Sequence, residues 1–237
     1  MPEHVKRRRV YDSPRRREQA RATRGAVLEA ARALFIERGY VATTIDAIAA
    51  SADVSPETVY ATFGSKRSLL SELVDVSIVG GVSIVGGVSI AGGEDAAPIF
   101  EQPWVQEMRD EPDPRRRLRI LAGNGRAILE RRSAIDEVVR GGAAADPEIA
   151  TLWERGRAQR FEGQRGLLRI VVGAADLRTN LDLETAADIL FAIGSPEVYQ
   201  LLVVDRGWSG TRFEAWYGDA LERLLFDPIS PATPKES

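Results

Sequence analysis

The sequence predicts an all-α protein with a small N-terminal domain of short helices and a larger helical body. Three observations favour this class. Apolar residues recur at intervals of three and four along most segments, which is the period of an amphipathic helix. Glycine, proline and small hydroxyl residues stand where such helices would begin and end. The 237 residues, of which 44% are hydrophobic and 28% charged, suffice for the core of one or two globular domains.

The N-terminal segment, residues 1–17, is polar and basic, with "KRRR" at positions 6–9 and "RRR" at positions 15–17. Such a composition predicts a disordered arm. Two interpretations stay open. The arm is either a solvated tail or a segment that touches phosphates or enters the minor groove of a DNA duplex.

The first helix is predicted over "RGAVLEAARALFIERGY", which runs from Arg24 to Tyr40. Gly39 supplies the left-handed position at which such a helix ends. The apolar face consists of Val27, Ala30, Ala31, Leu34 and Phe35.

Two short helices with a tight turn between them follow. Thr43 or Thr44 is predicted to cap the first of them, because a hydroxyl oxygen accepts from the free N–H groups of a first turn. Ser55 caps the second, with Pro56 at the first helical position, where the missing N–H costs nothing. Gly64 ends it. The second helix exposes small and hydrogen-bonding side chains, which is typical of a helix-turn-helix that reads a DNA major groove.

The net charge of −3 is distributed unevenly along the chain. Residues 1–72 carry 13 Lys and Arg against 9 Asp and Glu, a net charge of +4, and the remainder carries −7. A basic head on an acidic body indicates that only the head meets a polyanion.

The same segments resemble the N-terminal signature of TetR-family transcriptional regulators. "TVYATFGSK", Thr58 to Lys66, is similar to the core of that signature, and "TTIDAIAASADVS" is similar to the helix before it. The similarity covers about residues 24–74. It departs at Ala61 and Thr62, where many members carry an aromatic residue and a histidine. The resemblance implies a homodimer that places its two third helices in successive major grooves, and a ligand in the body that changes the separation of the heads.

Several residues of the head are predicted to contact DNA. Hydroxyl and ammonium groups position a protein on the phosphate backbone. We expect that role of Thr43 or Thr44, Tyr60 and Lys66. Small and hydrogen-bonding side chains can meet base edges. The candidates for that role are Ser55, Glu57, Thr58, Ala61 and Thr62.

Four of these candidates have a plainer alternative. Ser55 caps its helix whether or not it touches DNA, and for Glu57 we prefer a role at the helix dipole. Tyr60 could be a packing residue, and Lys66 could be a solvated surface charge.

A hexad written three times, "VSIVGGVSIVGGVSIAGG" from Val76 to Gly93, lies between the head and the body. Paired glycines oppose a helix by up to ~1 kcal/mol each, whereas the β-branched residues favour extended structure or a helix interior. A fourth helix, capped by Ser65 and with Leu69, Leu70 and Leu73 facing inward, is predicted before the repeat. We predict a surface insertion after this fourth helix. The alternative is a segment that loosens the coupling between body and head.

The body is predicted to be helical over about 114–132, 134–140, 147–172, 182–204 and 211–226, with a kink at Pro196. The last two helices are the expected dimer surface, because two from each subunit make a four-helix bundle. Alternatively, they only close the monomer core. The predicted domains are the arm 1–17, the DNA-binding domain 18–75, the junction 76–95, the ligand-binding and dimerisation domain 96–228, and a disordered tail 229–237.

Aromatic residues are concentrated in the body, where they either line an apolar pocket or belong to the core. One arginine on a helix expected to border that pocket could meet an anionic ligand. The candidate ligand-binding residues are Trp104, Arg126, Trp153, Phe161, Phe191 and Tyr199.

The composition excludes several classes of chemistry. The chain has no cysteine, and its single histidine, His4, lies in the polar arm. A thiolate nucleophile, a histidine triad and a multi-histidine zinc site are therefore excluded, and no cofactor or metal is expected. The basic N-terminus lacks the apolar region of a signal peptide, and no run of eighteen apolar residues predicts a membrane span.

We therefore predict an all-α regulator with an N-terminal three-helix helix-turn-helix DNA-binding domain and a C-terminal helical ligand-binding and dimerisation domain. It is expected to act as a homodimeric repressor in a bacterial cytoplasm, at the nucleoid, and to leave a palindromic double-stranded DNA operator when a small-molecule inducer binds. One alternative is a ligand-independent DNA-binding activator or architectural protein. Another is an enzyme with carboxylate chemistry in the body, which the residue inventory disfavours.

Overall fold

Helices account for all of the regular structure in the part of the chain that is described. The computed structural model describes residues 14–79, 99–173 and 177–228. The predicted all-α class is confirmed. The helices are α1 Pro14–Ala42, α2 Ile45–Ser51, α3 Pro56–Phe63, α4 Lys66–Val79, α5 Pro103–Asp110, α6 Pro114–Ala143, α7 Pro147–Val172, α8 Leu183–Ile193, α9 Pro196–Tyr199 and α10 Gly210–Leu225. A 3-10 turn, Ile99–Glu101, precedes α5, and a π-helical segment, Gln200–Asp205, continues α9.

The first helix is longer than predicted at its N-terminal end. It begins at Pro14, so residues 14–17 of the predicted disordered arm are helical, and residues 1–13 lie outside the described residues. Arginine, glutamate, glutamine and alanine fill its first turns, and all are good helix formers. Gly39 has a φ of 78°, the left-handed conformation expected there, but the chain returns to helical geometry before Ala42.

The head, α1 to α4, packs around one apolar cluster. Ile135 and Val139 of α6 and Ile149 of α7 belong to the same cluster, so the core of the head continues into the body without a gap. Its fully buried members in the head include Val27, Ala31, Phe35, Ile48, Val59, Leu69 and Leu70.

The body has a second apolar cluster between α5, α6, α7, α8 and α10. The Tyr199 and Phe213 rings meet edge to face in it, with centroids 4.9 Å apart. The predicted break between residues 132 and 134 is wrong, because α6 is continuous through Ser133, which is buried. Serine has a somewhat low helix propensity, and the burial of Ser133 outweighs it.

The segment around Pro196 is broken more completely than a kink. The helix ends at Ile193, and Ser195 caps a new one by accepting from the backbone N–H of Val198 at 3.2 Å. By length and composition, Leu183–Asp205 is the one stretch of the described chain apolar enough to cross a membrane. Part of that apolar surface lies in the body core, where Leu190 and Tyr199 are buried.

The hexad repeat begins as a continuation of α4, which extends to Val79. The remainder of the repeat, residues 80–93, lies outside the described residues, as does the predicted tail, residues 229–237.

Candidate nucleic-acid interface

Helix α3 is capped at both ends, and one of its faces is buried against the rest of the head. Ser55 Oγ accepts from the Thr58 N–H at 3.3 Å, and Gly64, with a φ of 76°, donates its N–H to the Tyr60 carbonyl at 2.8 Å. Val59 and Phe63 are buried in the core of the head. The helix therefore has one face committed to the protein and the opposite face available to a partner.

The available face of α3 carries most of the side chains that were predicted to read bases. Tyr60 is 54% exposed, and Ser55, Glu57 and Ala61 are also exposed. Thr62 is half-buried, and its hydroxyl donates to the Thr58 carbonyl at 2.7 Å. Thr58 is half-buried as well, with its Oγ1 3.2 Å from Ser55 Oγ.

The two threonines before α2 have different positions. Thr44 is exposed and caps α2 by accepting from the Ala47 N–H at 3.1 Å. Thr43 is fully buried, and its hydroxyl lies 2.8 Å from the Gly39 carbonyl and 3.1 Å from that of Leu34. A buried hydroxyl that donates to backbone carbonyls near the end of α1 cannot reach a phosphate. The prediction that Thr43 contacts phosphate is therefore not retained, and Thr44 is the remaining candidate.

The ammonium of Lys66, which was predicted to contact phosphate, with a solvated surface charge as the alternative, is hydrogen-bonded within the head. It donates to the carbonyls of Tyr40 at 2.9 Å and Thr43 at 2.8 Å, and it lies 4.3 Å from the centre of the Tyr40 ring. Burial lowers the pKa of the Lys66 ammonium. The side chain joins the start of α4 to the end of α1, which is a structural role.

Glu57 occupies the first turn of α3. A hydrogen bond from its own backbone N–H, followed by one from the Ser55 hydroxyl, lowers the pKa of its carboxyl. The partial positive charge of the helix N-terminus stabilises a carboxylate at this position. This agrees with the role at the helix dipole that the sequence analysis preferred for Glu57.

An arginine that the sequence analysis did not single out ties three helices of the head together. Arg24 of α1 pairs with Glu72 of α4 at 2.5 Å, donates to the Thr62 carbonyl at 3.4 Å and lies 4.7 Å from the Phe63 ring centre. Beside it, Arg16 and Arg21 share an open groove with α3 threonines. No local pattern marks Arg24, because its partners are 38 and 48 residues away.

The body contains a cavity of about 240 Å³. Its apolar wall is made mainly by α6 and α7, and its polar groups come from α6, α7 and the break between α8 and α9. The lining residues include Ile99, Trp104, Leu121, Ile128, Leu129, Arg132, Gln159, Arg160, Gly163, Gln164, Leu167, Gly194 and Tyr217.

Of the six predicted ligand residues, Trp104 alone is among the residues that line this cavity. Trp153 packs against the core of the head. Phe161 and Phe191 contact one another edge to face at 5.5 Å. Tyr199 lies in the body core, and Arg126 pairs with Glu130 and Glu214. Tyr199 is a core residue, as the alternative for these aromatics proposed, whereas Trp153 and Phe161 are half-buried against the two cores.

The polar lining of the cavity was missed although a signal was present. Arg160, Gly163, Gln164 and Leu167 recur at i, i+3, i+4 and i+7, so they share one face of α7. Polar residues on the inward face of a helix indicate a cavity, because a close-packed core would be lined by apolar residues alone. Within the described residues, no group of three acidic or histidine side chains could hold a metal ion.

Comparison with known proteins agrees with this architecture. Residues 27–73 match the family model for bacterial regulatory proteins of the tetR family. A relative from Bacillus subtilis, the uncharacterized HTH-type transcriptional regulator YdeS, is 25% identical over 199 residues, which are 81% of this chain and 84% of the relative.

Two solved structures have the same fold. NalD from Pseudomonas aeruginosa, the secondary repressor of the MexAB-OprM multidrug efflux pump, aligns with a TM-score of 0.62 at 21% identity, covering 88% of this chain and 98% of NalD. A putative transcriptional regulator from Saccharomonospora viridis, in complex with choline, aligns with a TM-score of 0.61 at 21% identity, covering 86% of this chain and 98% of the regulator. At this identity the similarity shows the fold alone.

Proposed function

Since the chain is a transcriptional regulator of the TetR family, we propose that it is a homodimeric repressor that leaves a palindromic operator when a small molecule binds the body. Regulators of this family are DNA-binding proteins and not enzymes. The observation that carries the proposal is the position of α3. Val59 and Phe63 on its inner face are buried in the head. Glu57 and Ala61 on the opposite face are exposed, and Tyr60, beside the buried face, is 54% exposed.

The proposed contacts divide into two groups. Thr44 and Tyr60 are exposed and carry hydroxyls that suit phosphate oxygens, which position a protein without reading sequence. Threonine and alanine methyl groups can contact a thymine methyl, and serine and threonine hydroxyls can hydrogen-bond several base edges. The proposed base-reading residues are Ser55, Thr58, Ala61 and Thr62, with Glu57 at the N-terminus of the helix.

The proposed dimer surface is formed by the last helices of the body. Leu201 and Val204 are 54% and 56% exposed on the π-helical segment, so the monomer leaves apolar area uncovered there. A two-fold pairing of these segments with α8 and α10 would bury that area in a four-helix bundle. A two-fold dimer can then read half-sites about 34 Å apart, or a multiple of that distance, on one face of the duplex.

Contacts between head and body support regulation by a ligand. Arg67 at the start of α4 pairs with Glu148 at the start of α7, and Arg32 of α1 donates to the Arg131 carbonyl of α6 at 3.0 Å. Both body helices also line the cavity. A ligand that prefers one arrangement of α6 and α7 would therefore bias the head, and it can do so only by its difference in affinity for the two arrangements.

The relatives add indirect support for these finer points. NalD is a repressor, and the Saccharomonospora viridis regulator was solved in complex with choline. We extend to this chain repression, release by a small molecule, and action on nucleoid DNA in a bacterial cytoplasm.

The test is selection of binding sites from genomic DNA with the purified full chain, followed by titration of the selected duplex at several salt concentrations. We expect a near-palindromic site and a slope of log K against log[salt] of about −0.9 for each phosphate contact. A flat salt response would contradict DNA binding by the head. Site-specific binding that no small molecule relieves would indicate the ligand-independent activator or architectural protein instead.

A further inference from the structure

We propose that the body cavity binds a compact anionic ligand with an apolar body, whose negative group meets the guanidinium of Arg160. The inference rests on the proposed function in one respect, namely that the cavity is the site of a regulatory ligand. It goes further by assigning the chemical class of that ligand.

The charges that line the cavity are of one sign. Arg132 and Arg160 are among the lining residues, and no aspartate or glutamate is. Arg132 is already paired, since its Nε lies 2.7 Å from a carboxylate oxygen of Asp136 in the next turn of α6. Arg160 is the cation whose charge is left for a ligand.

Arg160 is held in place by neutral groups. Its Nη1 donates to the Phe191 carbonyl at 2.9 Å and the Gly194 carbonyl at 3.4 Å, and its guanidinium carbon lies 3.7 Å from the Phe191 ring centre. Within the described chain it forms no ion pair. A partly buried cation without a carboxylate partner is costly, and an anion with two oxygens can accept from a guanidinium in the bidentate geometry that compensates such a charge.

The guanidinium stays charged at neutral pH. Burial lowers the pKa of Arg160 to about 10. Glu197 and Asp136 favour the cation, whereas Arg132 and Arg157 disfavour it. The cavity therefore presents a positive charge to any molecule that enters it.

The opposite wall of the cavity is apolar and sets the size of the ligand. The cavity volume of about 240 Å³ is roughly eight times the ~30 Å³ share of one water in the liquid. It falls slightly below the range of about 300–1,000 Å³ that holds drug-sized ligands. A single ring or a short chain fits this space. The apolar lining consists of Ile99, Trp104, Leu121, Ile128, Leu129 and Leu167.

A quaternary ammonium ligand fits this lining poorly. Such ligands bind inside cages of several aromatic faces, commonly with a carboxylate nearby. The aromatic lining residues here are Trp104 and Tyr217, and arginines take the place of acids. The cavity therefore differs in chemistry from a choline site, although the Saccharomonospora viridis regulator with choline shares the fold.

The test is isothermal titration calorimetry on the full chain with three sets of probes that share an apolar body. The carboxylates are hexanoate and 3-phenylpropanoate, and the matched controls are the corresponding alcohols and trimethylammonium compounds. We expect each carboxylate to bind at least about tenfold more tightly than its alcohol, because a charge-assisted hydrogen bond exceeds a neutral one by about that factor. Equal affinities, tighter binding of the ammonium compounds, or no binding of any probe would overturn the inference.

Two variants locate the binding site. Arg160→Gln should weaken carboxylate binding at least about tenfold and change alcohol binding less than about twofold. The matched control is Arg169→Gln, which removes an exposed arginine of the same helix outside the cavity and should change neither.

If Arg160→Gln does not fold, Gly163→Leu is the variant to measure. A Cβ at Gly163 meets no atom within 4 Å, so the leucine side chain can occupy the cavity and should block carboxylate binding. Unchanged carboxylate binding in Gly163→Leu would place the site elsewhere and overturn the inference.

Operator binding without any probe separates this inference from the proposed function. A wild-type chain that binds its operator but prefers the ammonium probes keeps the proposed function and loses the anionic ligand. A chain that prefers carboxylates at Arg160 but binds no DNA keeps the inferred ligand class and loses the proposed function.

Discussion

Lys66 Nζ lies 4.3 Å from the centre of the Tyr40 ring and donates to the carbonyl oxygen of the same residue at 2.9 Å. The first residue of α4 is thereby joined to the end of α1, which lies 26 positions earlier in the chain. A second bond, to the Thr43 carbonyl, holds the turn that leads into α2. The lysine of the "TVYATFGSK" stretch thus fixes how the helix-turn-helix sits on α1.

Lys66→Met is expected to destabilise the protein. Two backbone carbonyls lose a charged donor, so the free energy of unfolding should fall by about 1–3 kcal/mol in urea denaturation. Arg38→Met is the matched control, because Arg38 is exposed and its ion pair with Glu37 is too, and it should change stability by less than about 0.5 kcal/mol. Unchanged stability together with a salt slope smaller by about 0.9 would instead mean that Lys66 contacts a phosphate.

Thr43→Val should also lower stability, by about 1–3 kcal/mol, because the end of α1 loses the donor to its open carbonyls. Thr43→Ser keeps the hydroxyl and should recover most of that loss. Chemical denaturation of the three proteins measures the difference. Equal stability of the valine variant and the wild type would show that water satisfies those carbonyls, and the internal role assigned to Thr43 would then be wrong.

Tyr60 is expected to matter for DNA and not for folding. Tyr60→Phe removes one hydroxyl from a side chain that is 54% exposed, so the free energy of unfolding should change by less than about 0.5 kcal/mol. Affinity for the selected operator, measured by fluorescence anisotropy, should fall about tenfold if the hydroxyl bonds a phosphate. Phe63→Ala, on the buried face of the same helix, is the contrasting variant and should cost about 3–5 kcal/mol of stability. Loss of stability in Tyr60→Phe would mean that the hydroxyl hydrogen-bonds within the protein and is not free for a phosphate.

The local parts of the head could be predicted from the sequence. Ser55, Pro56 and Gly64 mark the ends of α3 where the structure has them, because caps depend on neighbours within four residues. The spacing of Val59 and Phe63 gives the buried face correctly for the same reason. Which of two adjacent threonines points inward depends on the end of α1, and no local rule distinguishes Thr43 from Thr44.

The predictions that were wrong concern features that depend on contacts between segments far apart in the sequence. The continuity of α6 through Ser133 follows from its burial against other helices, and burial outweighs a weak local propensity. The cavity needs Arg160 to meet the Gly194 carbonyl 34 residues further along, and only the packing of α7 against the break after α8 brings them together. Aromatic content pointed to Phe191 and Tyr199 as pocket residues. Tyr199 is instead buried in the body core, and Phe191 packs on Phe161 and on the Arg160 guanidinium without lining the cavity.

The proposed dimer gives the last prediction. Replacing both Leu201 and Val204 by Glu places two charges on an apolar surface that the monomer leaves exposed, so the variant should sediment as a monomer. Its affinity for the palindromic operator should fall at least about a hundredfold, because the second half-site no longer adds to binding, while affinity for a half-site duplex should stay within about twofold. Ile36→Glu is the control, since Ile36 is an exposed apolar residue of α1 in the head, and it should leave the dimer intact. A variant that remains dimeric in sedimentation velocity would place the dimer surface elsewhere on the body.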